Sequence, residues 1–177
     1  MIVGISDHDQ RRGLGYNPTV PDYHILTIGH GENTWEEFIF RLRPQKIEAL
    51  VDVRGWPYPS DSLALPWFHR DRIESLARKQ GWEYIWLGAK IGALTVDGRV
   101  DNFVREQEPG YRAGIQELLE LAGERVVCLL GGHSDPFGSH VHTLIAQTLL
   151  RHHVGVHHIL MDGSTSEALA DLFHTAI

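Results

Sequence analysis

Three stretches of this sequence gather residues that move protons or hold anions. The densest runs from Gly131-Gly132-His133-Ser134-Asp135-Pro136 through Phe137-Gly138-Ser139-His140-Val141-His142. Paired glycines let backbone N–H groups approach a ligand closely, and Ser139 is placed to cap a helix whose N-terminus favours an anion. His140, in the first turn of that helix, is expected to stay neutral beside the positive dipole end, and a neutral imidazole can act as a base or bind a metal. The second stretch holds Asp52 and Arg54, two residues apart and so on one face of an extended strand. The planar fork of an arginine suits a phosphate or carboxylate, but the same spacing fits an ion pair that orders the strand end. The third is His30, which follows Gly29 at the close of an apolar run.

These residues form one site only if the fold brings them together. Short apolar runs alternate with helix-period segments from Tyr23 onward, the pattern of βα units around a largely parallel sheet. Strands are predicted over His24–Ile28, Ala49–Val53, Trp82–Leu87, Arg125–Leu130 and Val154–Leu160. Thr34 and Glu37 are spaced as a capping box for a helix carrying Trp35, Phe38, Ile39 and Leu42, with Pro44 helping to end it. Ile73, Leu76 and Ala77 mark a second helix that stops near Gly81, and Tyr111, Ile115, Leu118, Leu119 and Ala122 a third. Ser139 precedes a helical face of Val141, Leu144, Ile145 and Leu149. Ser164 and Glu167 read as another capping box, ahead of Leu169, Leu172 and Phe173. The stretch from Gly88 to Pro109 is either a lid or partly helical. The expected fold is a three-layer α/β sandwich with a mostly parallel five-stranded sheet and helices on both faces. Residues 1–22 form an arm or lid, and residues 23–177 a single domain.

Ligands of open α/β sheets bind beyond the carboxyl ends of the strands. The predicted ends deliver His30, Asp52 with Arg54, Gly88, Gly132 with His133, and Asp162. In this reading His133 and His140 share acid–base work, and Asp52 orients one of them or Arg54. His30, Arg54, Gly88, Gly132 and Ser139 line the substrate. A divalent metal among His30, His133, His140 and His142 is the rival arrangement, although their spacing matches no specific zinc pattern. His152-His153 and His157-His158 read as capping or packing, because neighbours in a strand face opposite ways. Trp56, Tyr58, Trp67 and Phe68 could stack on a flat ligand or cover a core edge.

Composition narrows the function classes. The chain has 177 residues, 42% hydrophobic and 22% charged, which suits a folded globular chain and not a disordered one. A formal charge of −7 argues against a nucleic-acid partner, which calls for a basic face. No apolar run reaches the ~18 residues of a membrane span, and charges occupy the place of a leader's apolar stretch, so a cytoplasmic protein is expected. The single cysteine, Cys128, lies inside an apolar strand and reads as a buried, inert thiol. No dinucleotide fingerprint, P-loop or flavin motif is visible, so no NAD, ATP or flavin is implied. A homo-oligomer is compatible with the sequence.

The order of the motifs resembles the prokaryotic family called domain of unknown function 488, over about residues 23 to 163. Thr27-Ile28-Gly29-His30 is similar to its opening signature. Val51-Asp52-Val53-Arg54 with the loop Pro57 to Ser60 is similar to its second. Leu87-Gly88 through Ile91-Gly92, then His158-Ile159 and Asp162-Gly163, follow its later motifs. The resemblance implies a Cys-Ala-Glu and a Cys-His-Arg tripeptide where this chain has Gly131-Gly132-His133 and Ser139-His140-Val141. Only the Asp-Pro of Asp135-Pro136 and His140 match there, so the chain looks like a divergent member without the family's cysteines. The combined expectation is an enzyme, hydrolase or lyase in type, acting on a small anionic or nucleotide-like molecule in a specialised biosynthetic or nucleoside pathway. A metal-dependent enzyme and a non-catalytic module that binds a nucleotide or partner protein are the alternatives.

Overall fold

The computed structural model describes residues 23–58, 65–93, 95–96 and 99–171. The expected arm over residues 1–22 and the residues after Asp171, Leu172 and Phe173 among them, lie outside the described residues.

Strand β1 (His24–Gly29) is followed by helix α1 (Trp35–Leu42), β2 (Ala49–Asp52), α2 (Arg70–Lys79) and β3 (Glu83–Trp86). A short helix α3 (Gly88–Ile91) and a two-stranded ribbon, β4 (Thr95–Val96) and β5 (Arg99–Val100), lead to α4 (Asn102–Gln107) and the long α5 (Pro109–Glu124). Then come β6 (Val127–Gly131), a π-helical segment (Val141–Ala146) continuous with α6 (Gln147–Arg151), β7 (Gly155–Ile159) and β8 (Thr165–Glu167). The capping box at α1 forms as the spacing predicts: Thr34 Oγ1 accepts from the Glu37 N–H, and the Glu37 carboxylate accepts from the Thr34 N–H.

The main sheet has six strands in the order β3-β2-β6-β1-β7-β8, parallel except for β8. This corrects the five-stranded expectation. The Ser164–Glu167 spacing does not start a helix, because the Ser164 N–H and hydroxyl both donate to Asp162 Oδ1 and close a tight turn. Gly163 sits in that turn at φ +84, a conformation that favours glycine, and the chain returns as an antiparallel edge strand. Leu169, expected on a helix, is largely exposed in irregular backbone. The segment after Gly88 is largely helical among its described residues.

Strand alternation sends apolar residues to both faces. Val51, Leu129 and Val156 pack under α5 and the π-helical segment, whereas Leu26, Leu50, Leu130 and Ile159 pack against α1 and α2. Cys128 is buried on this second side, and burial pushes its thiol well up. Among the described residues no helix is long and apolar enough to cross a membrane.

β1 and β6 are neighbours, but the chain leaves them in opposite directions. From β1 it crosses to β2 on one side, and from β6 it crosses to β7 on the other. The switch point of the sheet therefore opens between His30 and Gly132, where a crevice is expected.

Candidate functional site

A cavity of about 490 Å³ lies at this switch point, lined by His30, Gly31, Glu32, Arg54, Gly55, Trp56, Leu65, Gly132, His133, Ser134 and His140. Its size suits a small ligand. Five of the residues singled out in the sequence, His30, Arg54, Gly132, His133 and His140, thus share one cavity, which binds the ends of β1, β2 and β6 into a single surface.

Close backbone packing builds that surface. A Cβ on Gly29 would lie 1.5 Å from the His133 carbonyl oxygen, so the loop after β6 rests directly on the end of β1. The His30 N–H donates to Gly131 O and the Gly31 N–H to Gly132 O, extending the parallel ladder two residues past the strands. Arg41 of α1 braces the same end from below. Buried in the core, it donates to the carbonyls of Gly29, Ile159 and Leu160 and to the Asn33 side chain.

Asp52 is fully buried at the end of β2, beneath the cavity. Its Oδ1 accepts from the Arg54 N–H at 3.1 Å and from Arg54 Nε at 2.8 Å. Its Oδ2 accepts from Arg54 Nη2 at 2.6 Å and from the Tyr84 hydroxyl at 2.7 Å. Four donors saturate this carboxylate, so it orients Arg54 and has no lone pair over for a histidine. Burial, with the Asp52 charge beside it, pushes the Tyr84 phenol well up and keeps it a donor. The fork of Arg54 is therefore turned on Asp52, not on the cavity. One guanidinium nitrogen, Nη1, is buried and has no partner among the described residues, on a residue that is 6% exposed.

His30 stacks on Phe68, ring centroids 4.6 Å apart. Its Nδ1 lies 2.8 Å from Gly31 O; a carbonyl only accepts, so Nδ1 carries the proton and Nε2 is an acceptor. That Nε2 lies towards Gly132, 3.8 Å from where a Cβ of residue 132 would sit. Burial, followed by the Arg54 charge, pushes the His30 pKa down to about 4, so the ring is neutral at pH 7. His140 has the opposite tautomer: Nε2 donates to Val53 O at 3.1 Å, which makes Nδ1 its acceptor. Burial holds it below the ordinary imidazole range. His133 is exposed on the cavity rim.

Other expected site residues lie elsewhere. Gly88 opens α3 and packs under Arg54, its hypothetical Cβ 1.8 Å from the Arg54 carbonyl oxygen. Ser139 is buried; its hydroxyl donates to Pro136 O and caps nothing. His142 is in the π-helical segment. It forms a chain of its own: His142 Nδ1 to His158 Nε2 at 2.9 Å, then His158 Nδ1 to the Thr27 hydroxyl at 2.6 Å. Burial pushes the buried His158 down to about 4 as well. The proposed metal set is consequently divided: His30, His133 and His140 line the cavity, whereas His142 is bonded to His158. Among the described residues no three His, Cys, Asp or Glu side chains group as metal ligands.

Sequence reading missed Tyr84, Glu32, Leu65 and Ser134, as well as the Thr27–His158–His142 chain. Tyr84 had a usable signal, since it points to the same face of β3 as Asp52 does of the adjacent β2. The histidine chain depends on pairing β1 with β7 and placing a helix above both, which local pattern does not encode.

A model of the family described as Domain of unknown function DUF488 matches residues 34–148, which take in Asp52, Arg54 and the loop bearing His133 and His140. No curated protein and no solved structure matches the chain.

Proposed function

The chain belongs to the family described as Domain of unknown function DUF488, and from that premise and the crevice geometry we propose an enzyme that cleaves or transfers a small anionic or nucleotide-like substrate by histidine acid–base chemistry. The observation that carries this reading is the unpartnered Nη1 of Arg54. A buried donor without an acceptor costs roughly 1–3 kcal/mol, and a substrate oxygen placed on it removes that cost. Asp52 and Tyr84 hold the guanidinium in place before the ligand arrives, so little ordering remains for binding to supply.

Around that oxygen, His140 offers Nδ1 as an acceptor and His133 stands on the rim, where it can exchange protons with water. One accepts a proton from the attacking group and the other returns one to the leaving group. Hydrolysis and lyase-type cleavage both fit this division, and a cytoplasmic setting suits either.

Turnover of a panel of nucleotides and phosphorylated small molecules by the full chain tests the proposal. Activity that disappears in His140→Ala and survives chelation supports it. Activity lost on chelation and restored by a divalent metal favours the metal-dependent alternative. Tight binding with no turnover of any member identifies a binding module instead.

A further inference from the structure

We propose that the floor of the crevice reads the hydrogen-bonding edge of a nucleobase, with Arg54 Nη1 as donor and His30 Nε2 as acceptor. This rests on the crevice being the substrate site, and it chooses the nucleotide-like substrate over the simple anion.

Arg54 Nη1 can only donate, and it has no partner among the described residues. His30 Nε2 can only accept, because the proton on Nδ1 is held by the Gly31 carbonyl. Both residues line the same cavity, so one ligand that satisfies both must carry an acceptor and a donor on the edge it turns to them. Carboxylates and phosphomonoester dianions carry acceptors alone, so one of their oxygens would face the His30 lone pair. Nucleobases carry the matching pair: a carbonyl beside N3–H in uracil, and N1 beside an amino group in adenine.

Charge points the same way. Asp52 cancels the Arg54 charge inside a buried pair, and Glu32 adds a carboxylate to the cavity lining. The floor therefore offers directed hydrogen bonds more than net positive charge. His30 stays neutral down to about pH 4, which keeps its lone pair available. Trp56, 74% exposed and tilted against Tyr58 at 5.1 Å, lines the cavity with Leu65 and provides a flat apolar wall for a ring.

Calorimetric titration of the full chain tests this with uridine and adenosine, each against a counterpart lacking the edge donor: N3-methyluridine and N6,N6-dimethyladenosine. At least one parent nucleoside is expected to bind, and its methylated counterpart at least tenfold more weakly. His30→Ala is expected to erase that difference. Trp56→Ala, at an exposed position, is expected to weaken both ligands of a pair alike. Equal binding of parent and methylated forms overturns the inference. Binding of inorganic phosphate, lost in Arg54→Lys, without binding of either nucleoside overturns it too and leaves the anion-site reading standing. Binding of none of these probes overturns both.

Discussion

Arg54, in the cavity lining, holds Asp52 with two of its side-chain nitrogens, and its third nitrogen is buried with no partner among the described residues. The pair thus orders the end of β2 and borders the cavity at once. The three N–H donors of a lysine radiate from one nitrogen and cannot reproduce the planar fork that grips both Asp52 oxygens. Arg54→Lys is expected to weaken ligand binding at least tenfold and to cost about 1–3 kcal/mol of stability, since Asp52 loses a charge-assisted donor. Urea unfolding beside a ligand titration checks this. A variant with wild-type stability and unchanged affinity would remove Arg54 from both roles.

The contact of Gly29 with the His133 carbonyl predicts a backbone effect at a distance. Gly29→Ala places a methyl where an oxygen already sits, and neither strand end can give way without breaking the ladder between β1 and β6. A loss of more than about 3 kcal/mol is expected, as for other strained core positions. Thermal melting reads it, and a melting temperature within a few degrees of wild type would contradict the packing described.

Acid sensitivity follows from the buried histidines. The folded chain keeps His30 and His158 neutral down to about 4, whereas an unfolded histidine takes a proton near ~6.5. Below that value the unfolded state binds more protons than the folded one, so stability is full above about pH 6.5 and falls as pH drops towards about 4. Each histidine contributes up to roughly 3 kcal/mol to the fall. Unfolding free energies measured between pH 7 and pH 4 should show this slope, and His30→Asn should reduce it. A flat profile over that range would exclude a neutral buried His30.

His133 and His140 are expected to separate structure from chemistry. Neither is in the apolar core, so alanine at either position should move the melting temperature by only a few degrees. Each should lower kcat at least a hundredfold, the ordinary scale for a lost acid or base. Retained turnover in both variants would assign the chemistry to other groups.

The parts of this molecule that were legible in the sequence share one property: each is written in a few consecutive residues. The capping box at Thr34, the runs that became β1, β2, β3, β6 and β7, and the placing of His30, Arg54 and His133 at strand ends all come from local spacing. What failed required knowledge of neighbours. Ser164 and Glu167 satisfy a helix signature, but the open edge of β7 and the Asp162 carboxylate recruit that segment as a strand. The spacing of Asp52 and Arg54 already allowed their ion pair, but not Tyr84, which arrives from another strand to complete the set of donors on Asp52. His142 joined the predicted metal set by proximity in sequence, yet it is bonded to His158 of β7 and does not line the cavity.

Arg41 has a consequence for the order in which this chain can assemble. Its charge is surrounded by oxygens of residues 29, 33, 159 and 160, all of them neutral dipoles. Two of those four come from the end of β7, the strand beside β1, more than a hundred positions later in the chain. A growing or truncated polypeptide that stops short of β7 has only half of that cage, and a guanidinium half caged resists burial. The end of β1 that shapes the crevice is therefore fully braced only once β7 has docked beside it, so a piece of the chain lacking β7 would lack half of the cage that holds the crevice wall.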